Sequence, residues 1–187
     1  VEKQTIEIKP YQKQPRANQD TTEKPLKEAF HYTVDTTTPN VFTFGASSTI
    51  LDFGQLSATN PVIRKLSLLV TSPYGFQIFT AANHPLETET KHLIPDTTCD
   101  NGSCSDITPA LWANALTYGY GYRLDSMETA YFRQTPDLSR NELPVLMLEQ
   151  SSAEAQNIPL TYKVTISGTQ EKGKYNNIIF FLATPNY

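Results

Sequence analysis

Tryptophan occurs once, methionine twice and histidine three times in these 187 residues, and only two cysteines are present. The histidines, His31, His84 and His92, are isolated from one another. They leave little material for imidazole acid–base chemistry or for a histidine-rich metal site. Motifs of nucleophilic catalysis are missing too: there is no Gly-x-Ser-x-Gly, no Ser-x-x-Lys at a helix start and no paired-histidine motif. The 8 glycines include no phosphate-cradling loop. Nothing calls for a cofactor or points to an enzyme. A basic stripe is also absent. The 15 Lys and Arg are scattered against 19 Asp and Glu, for a net charge of -4. That balance excludes the usual electrostatic footprint of a nucleic-acid binder and disfavours an anionic membrane surface. The longest apolar runs, near residues 66–70 and 178–183, are too short to span a bilayer. No signal peptide is visible. A start at Val1 rather than Met suits a processed product or a trimmed one.

What is present points to sheet. Aromatics make up 11% of the chain, with 10 Tyr and 9 Phe, and such residues suit pleated, half-buried surfaces. The 13 prolines punctuate the chain often and leave little room for long helices. Short alternating runs recur between turn signals: residues 30–34, 41–44, 49–53, 62–71, 74–79, 130–134, 145–149, 160–167 and 175–183. Residues 62–71 and 74–79 flank Ser72-Pro73 and predict a hairpin, with Tyr74, Phe76 and Ile78 pointing inward. In 160–167, Leu160, Tyr162, Val164 and Ile166 share one face. Thr161, Lys163, Thr165 and Ser167 share the other, which predicts one wet face. Residues 178–182 are apolar on both faces and predict a central strand or one that touches another molecule. A single short helix is expected over 108–116, capped by Thr108 and started by Pro109, with Leu111, Trp112 and Leu116 on its apolar side. About ten short strands at regular spacing indicate an all-β, antiparallel β-sandwich, immunoglobulin-like or jelly-roll.

Residues 1–29 differ in composition from residues 30–187. They are rich in Lys, Gln, Glu, Thr and Pro and form an extended N-terminal arm, the remainder forming the sandwich. Within the arm, Thr5, Ile6, Glu7, Ile8 and Lys9 alternate, so that Ile6 and Ile8 share one face of a strand. Such a strand can add to a sheet edge whose N–H and C=O groups are unpaired. Pairing with a neighbouring copy would link subunits, and folding back onto its own domain is the alternative.

Cys99 and Cys104 enclose Asp100-Asn101-Gly102-Ser103, and Asn-Gly is a strong turn signal. The spacing predicts a disulfide, hence an oxidising, extracellular compartment. The rival, half a metal site, lacks a second ligand pair; His92 is the nearest imidazole. Asp96, Asp100 and Asp106, with Asn101, are weak calcium candidates, against their ordinary use as turn residues. Asn101-Gly102-Ser103 is an N-glycosylation sequon at a loop tip. Tyr118, Tyr120 and Tyr122 alternate with two glycines and would lie on one face of a strand. They can pack against the Trp112 helix, form a protein interface or stack sugar rings. Lys65 and Lys163, with Asn176 or Asn177, could supply an internal isopeptide bond, although no motif demands one.

The segment Leu160-Thr-Tyr-Lys-Val-Thr-Ile-Ser-Gly-Thr-Gln-Glu-Lys-Gly-Lys-Tyr175, followed by an apolar strand, resembles the last hairpin of secreted prokaryotic surface domains of the immunoglobulin-like or WxL-like kind. Gly173-Lys174-Tyr175 occupies their Gly-x-Tyr turn. The WxL signature itself is missing, since the one Trp stands in Leu111-Trp112-Ala113, and peptidoglycan binding is not implied. A second similarity, of architecture only, is to fibre subunits of the TasA and archaeal bundling-pilus kind, whose N-terminal segment pairs into a neighbour. These resemblances imply a cell-surface structural protein: a subunit of a filament, pilus-like fibre or lattice whose partner is itself. The alternative is a carbohydrate-binding or adhesive module that meets cell-wall or glycan surfaces. A secreted hydrolase is a third, poorly supported class.

Overall fold

The computed structural model describes residues 5–10, 41–151 and 153–186. The strand expected over 30–34, and His31 with it, lie outside the described residues. The fold is all-β and is built from two facing sheets and a small third layer.

The four-stranded sheet has the order β2 (Thr43–Ala46), β4 (Val62–Ser72), β12 (Ala153–Thr165), β9 (Gly119–Leu124), antiparallel throughout. Alternation sets its inner face: Leu66, Leu68 and Val70 from β4, Leu160, Tyr162 and Val164 from β12, and Tyr120, Tyr122 and Leu124 from β9 are all buried. The second, seven-stranded sheet runs β11 (Val145–Gln150), β5 (Phe76–Ala82), β13 (Asn176–Pro185), β1 (Thr5–Pro10), β3 (Ile50–Asp52). The short strands β6 (Leu86–Glu87) and β7 (Leu93–Ile94) join it beside β13. Phe76, Ile78, Ile179, Phe181, Leu51 and Met147 complete one core with the residues of the facing sheet. The central position of β13 accounts for its apolar sequence. Ile179 and Phe181 face the core, while Ile178, Phe180 and Leu182 are half-buried on the other side.

Pairing differs from expectation in two places. β4 and β5 do not form a hairpin: β4 pairs with β2 and β12, and β5 pairs with β11 and β13. The chain crosses between sheets at the turn instead. There the Ser72 hydroxyl donates to the Gly75 carbonyl at 2.5 Å. Gly75 has φ 88, and a Cβ on it would lie 2.2 Å from the Gln150 carbonyl oxygen, so only glycine fits. Tyr74 is exposed on this turn rather than inward. Likewise β12 and β13, expected as a closing hairpin, sit in opposite sheets. Alternation reports which side chains share a face, and a crossing turn and a hairpin turn leave it equally intact.

The third layer covers the outer side of β9 and β12. It comprises the two-stranded ribbon β8 (Ala110–Leu111) and β10 (Tyr131–Phe132) with the loops around them. No helix forms over 108–116. Leu111 pairs with Tyr131, Trp112 N–H donates to Ala130 O at 2.7 Å, and the Asp100 carboxylate accepts the Ala113 and Asn114 N–H groups. These partners from distant segments, backbone at Ala130 and carboxylate at Asp100, replace the local i→i−4 bonds a helix would need. The helical content of the described residues is a 3-10 turn at Leu138–Arg140.

Candidate functional site

The third layer corrects the wet face expected of β12. Thr161, Lys163 and Thr165 are 2%, 6% and 1% exposed. Lys163 lies against a second apolar cluster of Cys99, Cys104, Ala110, Trp112 and Phe132, while the Thr161 hydroxyl donates to the Asp125 carboxylate. The Lys163 amine donates to the Trp112 carbonyl oxygen at 2.8 Å and stands 4.2 Å from the centre of the Trp112 ring and 5.5 Å from that of Phe132. Burial lowers its pKa, and the Asp100 carboxylate opposes that shift. Lys65 meets Asp125 at 3.3 Å. With Lys163 committed to Trp112 on the outer side of β12, and Asn177 buried in the facing sheet, that isopeptide pairing is not assembled.

The glycines of the Tyr-Gly-Tyr-Gly-Tyr run let this layer approach. A Cβ on Gly121 would lie 2.8 Å from both the Arg133 carbonyl oxygen and Thr97 Cγ2. Tyr120 and Tyr122 point the other way, each 1% exposed, flanking Tyr162 with ring centres 5.9 Å apart. They are core residues, not interface or sugar-stacking aromatics, and their partner is β12 rather than a Trp112 helix. Burial raises the pKa of all three phenols, that of Tyr122 to about 12. Tyr118 does not join them. It precedes Gly119, whose φ of 135 breaks the alternation, and it is exposed.

Cys99 and Cys104 form a disulfide with Cα atoms 5.6 Å apart. Asn101 is exposed at the tip of the loop they close, where a glycan would have room. The three calcium candidates diverge. Asp100 accepts from Ala113 N–H, Asn114 N–H and the Thr117 hydroxyl. Burial pushes its pKa up, but these bonds and the Lys163 charge outweigh that and leave it below the ordinary value. Asp106 takes no part in that set of bonds. Asp96 sits apart, near Asp137, Arg140 and Glu142. Among the described residues no group of three His, Cys, Asp or Glu side chains is placed to hold a metal ion. His84 meets the Pro85 carbonyl at 2.7 Å and Glu87 at 3.6 Å, and His92 is exposed.

The Asp96 carboxyl is held far above the ordinary carboxylate range. Burial pushes it from 3.8 up to about 7. Arg140 opposes the shift, Asp137 and Glu142 reinforce it, and the Thr135 N–H opposes it. The folded protein therefore keeps a proton that the unfolded chain loses near pH 4. The contribution of this group to stability is therefore fully present below that pH, falls as pH rises to about 7 and changes no further above it. Asp96→Asn is expected to remove this fall and to stabilise the protein at pH 8 by up to about 4 kcal/mol, three pKa units at 1.36 kcal/mol each. At pH 4 it should have little effect. Urea melts at pH 4, 6 and 8 measure it, and an unchanged pH slope in the variant would refute the assignment.

The remaining feature is the seat of β1. This strand occupies an interior position, not an edge. On one side Thr5, Ile6, Glu7, Ile8, Lys9 and Pro10 pair in parallel with residues 176–181 of β13. On the other, Thr5, Ile6 and Glu7 pair antiparallel with Asp52, Leu51 and Ile50 of β3. Among the described residues β3 reaches this sheet only through β1. Its other support comes from the facing sheet: Arg64 of β4 donates Nε to Asp52 O at 2.6 Å and Nη2 to Phe53 O at 3.2 Å. Phe53 is buried edge-on to Tyr120. β13 is held independently by β5, and its Ile178 N–H donates to Asn83 Oδ1 at 2.7 Å. Both walls of the seat are thus anchored without β1. The sequence marks the alternating strand but carries no signal for the seat, since its walls come from residues 50–52 and 176–181. Among the described residues no helix is long and apolar enough to cross a membrane. No protein-family model matches the chain, and no curated protein is significantly similar to it.

Proposed function

We propose that this chain is an extracellular structural subunit that builds a filament, pilus-like fibre or surface lattice by donating its N-terminal strand to a neighbouring copy. The observation that carries this reading is the position of β1 in a slot with two anchored walls, separated from β2 by residues 11–42. That connection, fully extended, spans up to about 100 Å. It is long enough for the strand to leave its own sheet and reach the equivalent slot of another subunit. Exchange of an identical element between copies preserves every strand-to-slot bond. Repeated head to tail, it gives an open polymer unless the rotation closes a ring. The Cys99–Cys104 disulfide supports an oxidising, extracellular setting. The sugar-binding alternative is weakened because Tyr120 and Tyr122, its best aromatic platform, are buried. Electron microscopy of the purified protein over a range of concentrations tests the proposal. Filaments, fibres or sheets are expected, and dispersed particles at every concentration would overturn it.

A further inference from the structure

Resting on that reading, we infer that the free subunit is self-plugged: its own β1 fills the slot, and assembly begins only when β1 withdraws and a second copy's β1 enters in the same register. The slot is a receptor for one kind of occupant. Its β13 wall presents parallel pairing over six positions and its β3 wall antiparallel pairing over three, so the incoming strand must satisfy both at once. A second copy supplies that strand without any new chemistry, whereas an unrelated peptide must match two ladders of opposite direction. Pro10 stands at the last paired position, opposite Phe181, and has no N–H with which to carry the ladder on.

Because β1 belongs to the same chain as its slot, it competes with the β1 of a second copy at an effective concentration that dilution does not change. The strand-to-slot contacts are the same in cis and in trans, so dilute protein stays plugged, while concentrated protein exchanges. The walls do not wait for the strand to form, because Arg64 holds the β3 side and β5 holds the β13 side. The barrier to assembly is therefore the withdrawal of β1.

A reversible lock separates this inference from the broader proposal. Glu7 and Ile50 are register partners, Ile50 is exposed, and no free cysteine is present to interfere. Glu7→Cys with Ile50→Cys, oxidised while monomeric, should give an intrachain link and lose polymerisation, and should regain it on reduction. Oxidised after assembly, the same variant should run as a covalent ladder on a non-reducing gel. Polymerisation of the oxidised monomer would overturn the inference and leave self-assembly by another surface standing. So would a polymer that yields only intrachain links. Thr5→Cys with Asn176→Cys locks the other wall and decides the matter if the first variant fails to fold. Unmodified protein that polymerises under no condition would overturn the function proposal and this inference together.

Discussion

Deletion of residues 1–10 is expected to abolish polymerisation and to destabilise the subunit by on the order of 5 kcal/mol. β1 holds six paired positions on β13 and three on β3, and at roughly 0.5–1 kcal/mol net per backbone hydrogen bond their loss is of that order. Losing the strand also splits the seven-stranded sheet, because β3 has no other partner in it among the described residues. A typical domain has only about 5–15 kcal/mol to lose. The truncated protein should therefore melt roughly 10–20 °C lower, taking the usual 2–4 °C per kcal/mol for a chain of this size. A synthetic peptide with the sequence of residues 1–10, added in excess, should restore part of the loss by binding the vacated slot. Differential scanning calorimetry with and without the peptide makes the comparison. Truncated protein that still polymerises would show that β1 is not the linker. Truncated protein with an unchanged melting temperature would show that the slot has no need of it.

Trp112→Ala is expected to cost about 3–5 kcal/mol, the usual range for emptying a buried aromatic site. The indole meets Phe132 edge-on at 5.2 Å, donates Nε1–H to the Thr117 carbonyl at 2.9 Å and provides the face beneath the Lys163 amine. Its removal leaves that amine without its ring and opens the outer side of β12 to water. The damage should stay in the third layer, because the cluster holding Trp112 is distinct from the inter-sheet core. Amides of residues 97–117 should exchange much faster while those of β4, β5 and β13 hold their protection. Being the only tryptophan, Trp112 also makes the unmodified protein report on this layer. Reducing Cys99–Cys104 should shift its fluorescence and leave the far-ultraviolet circular dichroism nearly unchanged. Loss of protection across β4, β5 and β13 in the variant would show that the two clusters unfold as one.

What the sequence determines by itself is which side chains must share a face. Leu66, Leu68 and Val70, then Leu160, Tyr162 and Val164, alternate so regularly that their joint burial needs no partner to be named. The Cys99–Cys104 loop is equally local, as is the alternation that marks Thr5–Lys9 as a strand. Tertiary structure alone decided what each face meets. Thr161, Lys163 and Thr165 have the polarity of a wet face, yet all three are buried, Lys163 against Trp112 and Phe132, and nothing in β12 encodes the arrival of a segment fifty residues upstream. The helix expected at 108–116 lost to the Ala130 carbonyl and the Asp100 carboxylate, whose bonds outweigh a weak local propensity. Ser72–Gly75 is compatible in sequence with a hairpin and becomes a crossing because the packed sheets leave β4 and β5 different neighbours. The slot for β1 is the extreme case. Its two walls are separated by more than a hundred residues, and their spacing is set by Arg64, β5 and the core between the sheets. Local alternation is a property of the backbone's period of two, whereas strand neighbours and covered faces follow from close packing of the whole chain, which no short window contains.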